Sequence, residues 1–355
     1  MQLTAPDIGE IGRTASDLRP DIVETPVITW RGGELAELVG DTTRVALKLE
    51  LLQVTGSFKA RGALTALHAM DADELRRGVT TVSSGNHAIA TAYAARKRGT
   101  SAKVVVLNSA NPARLERCRR FGAEIVVAGS GQEAFERAQH FVLAEGRTLI
   151  HPYEGRHVVL GTGTLGLEFH RQSGELDALV IPIGGGGLCA GLSNALKQLQ
   201  PDCQVYGVEP VGADVMYRSL LAGTALASRP IATIADSLGA PFTCPFTFEL
   251  CRRNLDHLVL VDDDQIRFAM ALIFRELKLA VEPAAAVATA ALIGPLRHRL
   301  SGKRVGIILC GSNIDPRTYA EHLFTAPAAL TPLAPRPGLA ACRDAHHQFV
   351  QDTLA

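Results

Sequence analysis

Short apolar runs alternate with longer stretches whose apolar residues recur three and four apart, and this alternation covers most of the chain. It predicts strands over 45–49, 79–82, 103–107, 124–128 and 148–150, separated by helices over 58–70, 86–98, 112–121 and 131–145. A connection over 151–157, carrying Pro, Gly and His, interrupts the pattern. It resumes with a helix over 163–171, a strand over 178–183, a helix over 188–199 and a strand over 204–208. Residues 225–254 hold three prolines and show no clear period. A strand over 257–261, helices over 263–277 and 284–300 and a strand over 304–309 close the series. Residues 1–44 read as a leading helix and a turn, with Thr25-Pro26 ahead of a short apolar piece. Repeated strand–helix units of this spacing mean parallel sheets with right-handed crossovers. We expect two α/β domains and find no internal repeat.

Composition narrows the function classes. The 355 residues are 47% hydrophobic, enough for a large core and two domains. A formal net charge of zero gives no electrostatic footprint for nucleic acid or an anionic membrane. No apolar run approaches the length that crosses a bilayer, and the first residues lack a basic region and an apolar core. The seven cysteines are scattered, odd in number and without a Cys-x-x-Cys pair, which argues against a disulfide framework and a zinc site. A reducing cytoplasm is the expected setting.

Candidate chemistry gathers at four places. The first is Lys59. Thr55-Gly56-Ser57 reads as a turn, with Ser57 as N-cap of the helix that follows. Lys59 then falls in the first helical turn, where the macrodipole disfavours a cation by about 0.3–1 kcal/mol. A lysine is most often solvated surface. One whose amine must be neutral, as nucleophile or Schiff-base former, gains from this setting. Gly56 and Gly62 let backbone approach, and Phe58 supplies an apolar flank.

The second is Ser83-Ser84-Gly85-Asn86-His87, after a strand and at a helix start. It reads either as an ordinary cap or as an anion site, because helix N-termini favour both. The third is Gly184-Gly185-Gly186-Gly187-Leu188 at a strand-to-helix junction. Such a turn is either merely flexible or lets backbone N–H groups converge on a phosphate. It is not a dinucleotide fingerprint, for no acidic residue follows at a suitable place. The fourth is Cys310-Gly311-Ser312-Asn313 after the last strand, where a cysteine is usually just buried.

The segment Gly-Ser-Phe-Lys-Ala-Arg-Gly-Ala from Gly56 to Ala63 resembles the lysine segment of the threonine/serine dehydratase and serine racemase group. These are fold-type II enzymes that use pyridoxal 5'-phosphate (PLP). The likeness runs from about Thr25 to Pro316, with four motifs in the group's order. It implies a tryptophan synthase β-like fold of two domains, each a mostly parallel twisted sheet flanked by helices. Residues 1–76 and 156–325 would form the large PLP-binding domain, and 77–155 the small inserted one. The tail at 326–355 is too short for a regulatory domain.

The resemblance also implies roles. Lys59 carries the cofactor, beside Phe58. Ser83, Ser84, Asn86 and His87 hold the substrate, and Asn86 contacts the cofactor's phenolic oxygen. Ser84 is the residue that acts on the face opposite the lysine in serine racemases. Gly184, Gly185, Gly186, Gly187 and Leu188 bind phosphate, and Cys310 faces the pyridine nitrogen. A weak partner there makes a milder electron sink, which suits β-elimination. Glu209 and Ala213 match two ligands of a divalent cation in metal-dependent relatives, but position 215 is Val rather than Asp. That departure weakens a hard-cation site and leaves a monovalent ion or none. Thr162 and Ser237 also depart from the group's pattern, in segments expected near the substrate.

The expectation is a PLP-dependent ammonia-lyase converting a serine- or threonine-like 3-hydroxy amino acid to a 2-oxo acid and ammonia. It would be a homodimer with a small-molecule substrate. The alternatives are an amino-acid racemase, a dehydratase for another substrate such as hydroxyaspartate, and a non-catalytic binding module.

Overall fold

The computed structural model describes residues 4–330. The expected tail, beyond its first five residues, lies outside them. Ten strands occur among the described residues: β1 Val27–Trp30, β2 Arg44–Lys48, β3 Val79–Val82, β4 Ala102–Leu107, β5 Glu124–Ala128, β6 Thr148–Leu149, β7 Ala178–Pro182, β8 Gln204–Pro210, β9 His257–Val261 and β10 Arg304–Ile308. They form a six-stranded sheet in the order β1-β2-β10-β7-β8-β9 and a four-stranded sheet in the order β5-β4-β3-β6. Every pairing is parallel except β1 with β2. Parallel strands need crossovers, and the intervening helices supply them. All five residues of β7 are buried, as a parallel strand covered on both faces must be.

The helix Pro283–Ile293 is buried along its whole length, and its all-round apolar sequence explains why. The single helix expected over 284–300 is two, because Gly294-Pro295 separates Pro283–Ile293 from Arg297–Leu300. Proline lacks the N–H that would continue the ladder and pushes its predecessor out of the helical region. The aperiodic stretch 225–254 ends in a helix, Pro245–Asn254, with proline at its first position.

The helix expected at 163 starts at Arg156 and runs to Ser173, through three glycines. Close packing requires them. A Cβ at Gly161 would stand 2.6 Å from the Arg61 carbonyl, and one at Gly166 would stand 2.9 Å from Ala195 Cβ. Gly191 of the helix Gly187–Leu199 would meet the Val159 carbonyl oxygen at 2.5 Å. Backbone therefore lies against backbone where this helix crosses Lys59–His68 on one side and Gly187–Leu199 on the other.

The core of the smaller sheet draws in Ala60, Leu64 and Leu67 from Lys59–His68, together with Leu18. The lysine helix thus packs between Arg156–Ser173 on one side and Asn86–Lys97 on the other. No described helix is long and apolar enough to cross a membrane. The six described cysteines are all free and buried.

Candidate active site

The candidate motifs all follow C-terminal strand ends: Ser83 follows β3, Gly184 follows β7 and Cys310 follows β10. Ligands of open α/β sheets bind at that edge. A cavity of about 650 Å³ lies there. Phe58, Lys59, Ser83, Ser84, Asn86, His87, Gly184, Gly185, Gly186, Gly187, Leu188 and Cys310 all line it.

Lys59 is the first residue of its helix. The expected cap is corrected. Ser57 does not cap the helix; Phe58 occupies the N-cap position without a side-chain bond. Ser57 instead bridges to Gly311, and its buried hydroxyl has no hydrogen-bond partner among the described residues. The loop is pinned to the end of β10 by this bridge and by the Phe58 N–H, which donates to the Cys310 carbonyl at 3.1 Å. The Lys59 amine donates to the Pro152 carbonyl at 2.6 Å, and burial lowers its pKa to about 8. A substantial neutral fraction therefore exists near neutral pH.

Ser84 Oγ accepts from the Leu107 N–H at 3.1 Å, which leaves its own hydrogen to donate. Ser83 Oγ accepts from the Gly85 N–H at 3.2 Å. His87 Nε2 faces the Ile150 carbonyl at 3.0 Å. Burial and the nearby Lys59 push its pKa down to about 3, so the ring is neutral and Nε2 donates.

Asn86 is held at both ends. Its amide nitrogen donates to Glu282 at 2.7 Å, and its oxygen accepts from Asn313 at 2.6 Å. The Asn313 backbone N–H also reaches Glu282, at 3.2 Å. Burial raises the Glu282 carboxyl to about 7. Glu282 lines the cavity, and the sequence reading missed it. The signal was there: one carboxylate, just before Pro283, inside an apolar run.

The glycine loop leads into the helix Gly187–Leu199, whose N-cap Gly186 has φ +92°. Side chains would destroy it. A Cβ at Gly184 would stand 2.8 Å from the Leu238 carbonyl oxygen, and one at Gly187 would stand 2.7 Å from that of Tyr153. At Gly185 it would strike the Tyr153 ring. Backbone N–H groups thus stand bare at a thirteen-residue helix start. Thr162 sits behind this loop rather than on the cavity. Its hydroxyl lies 2.9 Å from the Gly187 carbonyl and 2.8 Å from that of Val158. Ser237 does line the cavity.

Glu209 and Ala213 lie away from it. Glu209 is fully buried and accepts from the Met216 and Tyr217 N–H groups, at 2.9 and 2.7 Å. Burial raises its pKa well above the ordinary value. It caps the helix Val215–Ala222, and among the described residues no group of three or more His, Cys, Asp or Glu side chains could hold a metal. That cap engages both side-chain oxygens of Glu209. His151 and Glu154 also serve the fold. His151 Nδ1 accepts from the Glu154 N–H at 2.9 Å, and Glu154 caps Pro245–Asn254 through the Phe246 and Thr247 N–H groups.

Residues 18–311 match the family described as pyridoxal-phosphate dependent enzyme. The chain belongs to this family. It is 51% identical over 320 residues to a phenylserine dehydratase of Ralstonia pickettii, covering 90% of this chain and 97% of that one. It is 38% identical to a serine racemase of Dictyostelium discoideum, covering 85% and 93%. A solved maize serine racemase superposes with a TM-score of 0.83 at 33% identity, covering 90% and 98%.

The cavity fits the family's cofactor. Bare N–H groups at a helix start suit a phosphate, and an amine with its pKa lowered to about 8 suits an aldehyde. Burial raises the Cys310 pKa well above its ordinary value, so a neutral thiol lines the cavity and could face a ring nitrogen without protonating it.

Proposed function

We propose that the protein is a dehydratase that converts a 3-hydroxy amino acid to a 2-oxo acid and ammonia by α,β-elimination. The carrying observation is the convergence of Lys59, the Ser83–His87 helix start, the glycine loop and Cys310 on one cavity. The 51% identity to a phenylserine dehydratase supports the reaction type.

Bound PLP supplies the electron sink that makes the substrate's Cα–H acidic. Gly184 to Gly187 would hold its phosphate, Cys310 would face its ring nitrogen, and Lys59 Nζ would hold its aldehyde carbon. Asn86 has one amide hydrogen beyond the one given to Glu282, available to the phenolic oxygen. The Ser83 and Ser84 hydroxyls and the first N–H groups of Asn86–Lys97 bind the substrate carboxylate. That grip orients Cα–H toward the lysine.

The Lys59 amine, released from the cofactor when the substrate's own amine replaces it, is neutral and takes the Cα proton. The electron pair left behind forms the Cα=Cβ bond, and the hydroxyl leaves Cβ, gaining a proton to become water. The resulting enamine tautomerises, and water hydrolyses it to the 2-oxo acid and ammonia.

Two sheets with separate strand sets support the division into 77–155 and the remainder: every strand of the smaller lies within 79–149. Six free, buried thiols support a reducing cytoplasm. A homodimer is proposed on likeness to the dehydratase and racemase group alone.

Ser84 on the same cavity as Lys59 favours racemisation as the second reading. One incubation of holoenzyme with L-serine, L-threonine and 3-phenylserine separates the two. Dehydration yields 2-oxo acid and ammonia in equal amounts. D-serine appearing faster than pyruvate would make the protein a racemase instead.

A further inference from the structure

Aromatic rings step away from the lysine along one wall of the cavity. They begin beside Pro152, whose carbonyl accepts the Lys59 amine. His151 and Tyr153 stand edge to face with centroids 4.7 Å apart. Tyr153 and Phe242 follow at 6.2 Å, then Phe242 and Phe135, also at 6.2 Å. Phe135 belongs to the helix Gly131–Glu145, which packs on the four-stranded sheet. Phe242 belongs to the connection ahead of Pro245–Asn254, and Tyr153 donates its hydroxyl to the Phe242 carbonyl at 3.0 Å. The last ring pair therefore spans the cavity from one sheet's side to the other.

Both rings keep free surface. Phe135 is 44% exposed and Phe242 is half-buried. An exposed phenylalanine alone needs no explanation. A pair that meets across a cavity, with Ile231 and Pro241 on the same lining, is placed to bury a third ring. Arg114 also lines the cavity, but it is already paired with Asp236 at 2.5 Å. A second substrate carboxylate would lose its hydration against this wall without gaining a free cation.

We infer that Phe135 and Phe242 form an aryl clamp that selects 3-hydroxy amino acids bearing an aromatic ring on Cβ. The inference rests on the dehydratase reading and deepens it. With Cα held between Lys59 and the Ser83–His87 helix start, an aryl group on Cβ projects onto the ring series. The side chains of serine and threonine carry no ring to stack there.

The test compares wild type with Phe135→Ala and Phe242→Ala. The kcat/KM ratio of 3-phenylserine to L-threonine is measured for each holoenzyme. Calorimetry then measures binding of L-phenylalanine and L-alanine, which have no β-hydroxyl to lose. Aromatic contacts of ordinary strength predict a drop of about 2–10-fold per variant in the substrate ratio, and the same drop in the phenylalanine-to-alanine affinity ratio. Phe135→Ala is the decisive variant, because so exposed a ring contributes little to folding. Unchanged ratios, or a wild type that prefers threonine, would overturn the clamp and leave the dehydratase reading standing. No 2-oxo acid from either substrate would overturn that reading instead, and the affinity ratio would still decide the clamp.

Discussion

Lys59→Ala lowers turnover by at least about 100–10,000-fold, the usual worth of a positioned acid–base group, while the protein stays folded. The amine lines the cavity and donates to the Pro152 carbonyl. In the apoprotein, removing it relieves burial of a cation, so the thermal stability of the apo variant matches or exceeds that of apo wild type. A purely structural lysine would show the reverse pattern, a falling melting temperature with activity retained. Lys59→Arg is equally inactive, because a guanidinium stays charged and cannot act as nucleophile or base.

The same group gives a pH signature. Burial lowers its pKa from 10.5 to about 8, so the neutral amine grows as pH rises and is mostly formed above that value. The rate at which apoprotein captures PLP therefore climbs through neutral pH and levels off above about 8. A climb continuing past pH 10 would place an unshifted lysine in the reaction.

The second large effect lies two residues along the same helix. Arg61→Met destabilises the fold by about 3–5 kcal/mol, read from denaturant midpoints, because it strands buried carboxylates. Arg61 is fully buried and donates to both Glu50 oxygens, at 2.9 and 2.8 Å, and to Glu168 at 3.0 Å. Lys48 reaches Glu168 at 2.5 Å and completes a network of two cations and two anions. Burial works against the Glu50 carboxylate. The Arg61 guanidinium overrides it and holds the pKa below the ordinary 4.5. That stability is present above pH 4.5 and is lost as pH falls through the lowered value.

Replacing Glu50 by Met as well restores part of the loss, since the remaining Lys48–Glu168 pair is neutral overall. A single variant within about 1 kcal/mol of wild type would show that Arg61 is not needed to balance the network. Activity falls with stability in Arg61→Met, because the network anchors the first turn of the helix that carries Lys59.

Much of this site was legible in the sequence. The strand–helix alternation placed each motif at a strand end, and that placement brings distant residues onto one cavity. The errors have a common physical source, because local signals were overridden by tertiary packing. Ser57 looked like a cap, but the bridge to Gly311 took its place. Gly161 fell outside the helix expected from 163, and Gly163 at its first position. They lie inside one that crosses its neighbours too closely for a side chain at Gly161.

Glu209 matched a cation ligand of metal-dependent relatives by its place in the sequence. Only the folded chain shows both its oxygens given to backbone N–H groups. Glu282 escaped notice, and Asn313 carried no role of its own, because their partner, Asn86, lies 196 and 227 residues away. The aromatic series from His151 to Phe135 has no sequence period, since its members come from three separate segments.

The most direct test of Lys59 as the cofactor's anchor is borohydride reduction of the purified holoenzyme, followed by peptide mass mapping. Reduction makes the lysine–cofactor bond permanent. The expected result is the reduced cofactor's mass on the peptide containing Lys59, and its absence from that peptide in Lys59→Ala. The cofactor on another lysine, or on none in fully loaded protein, would contradict the assignment.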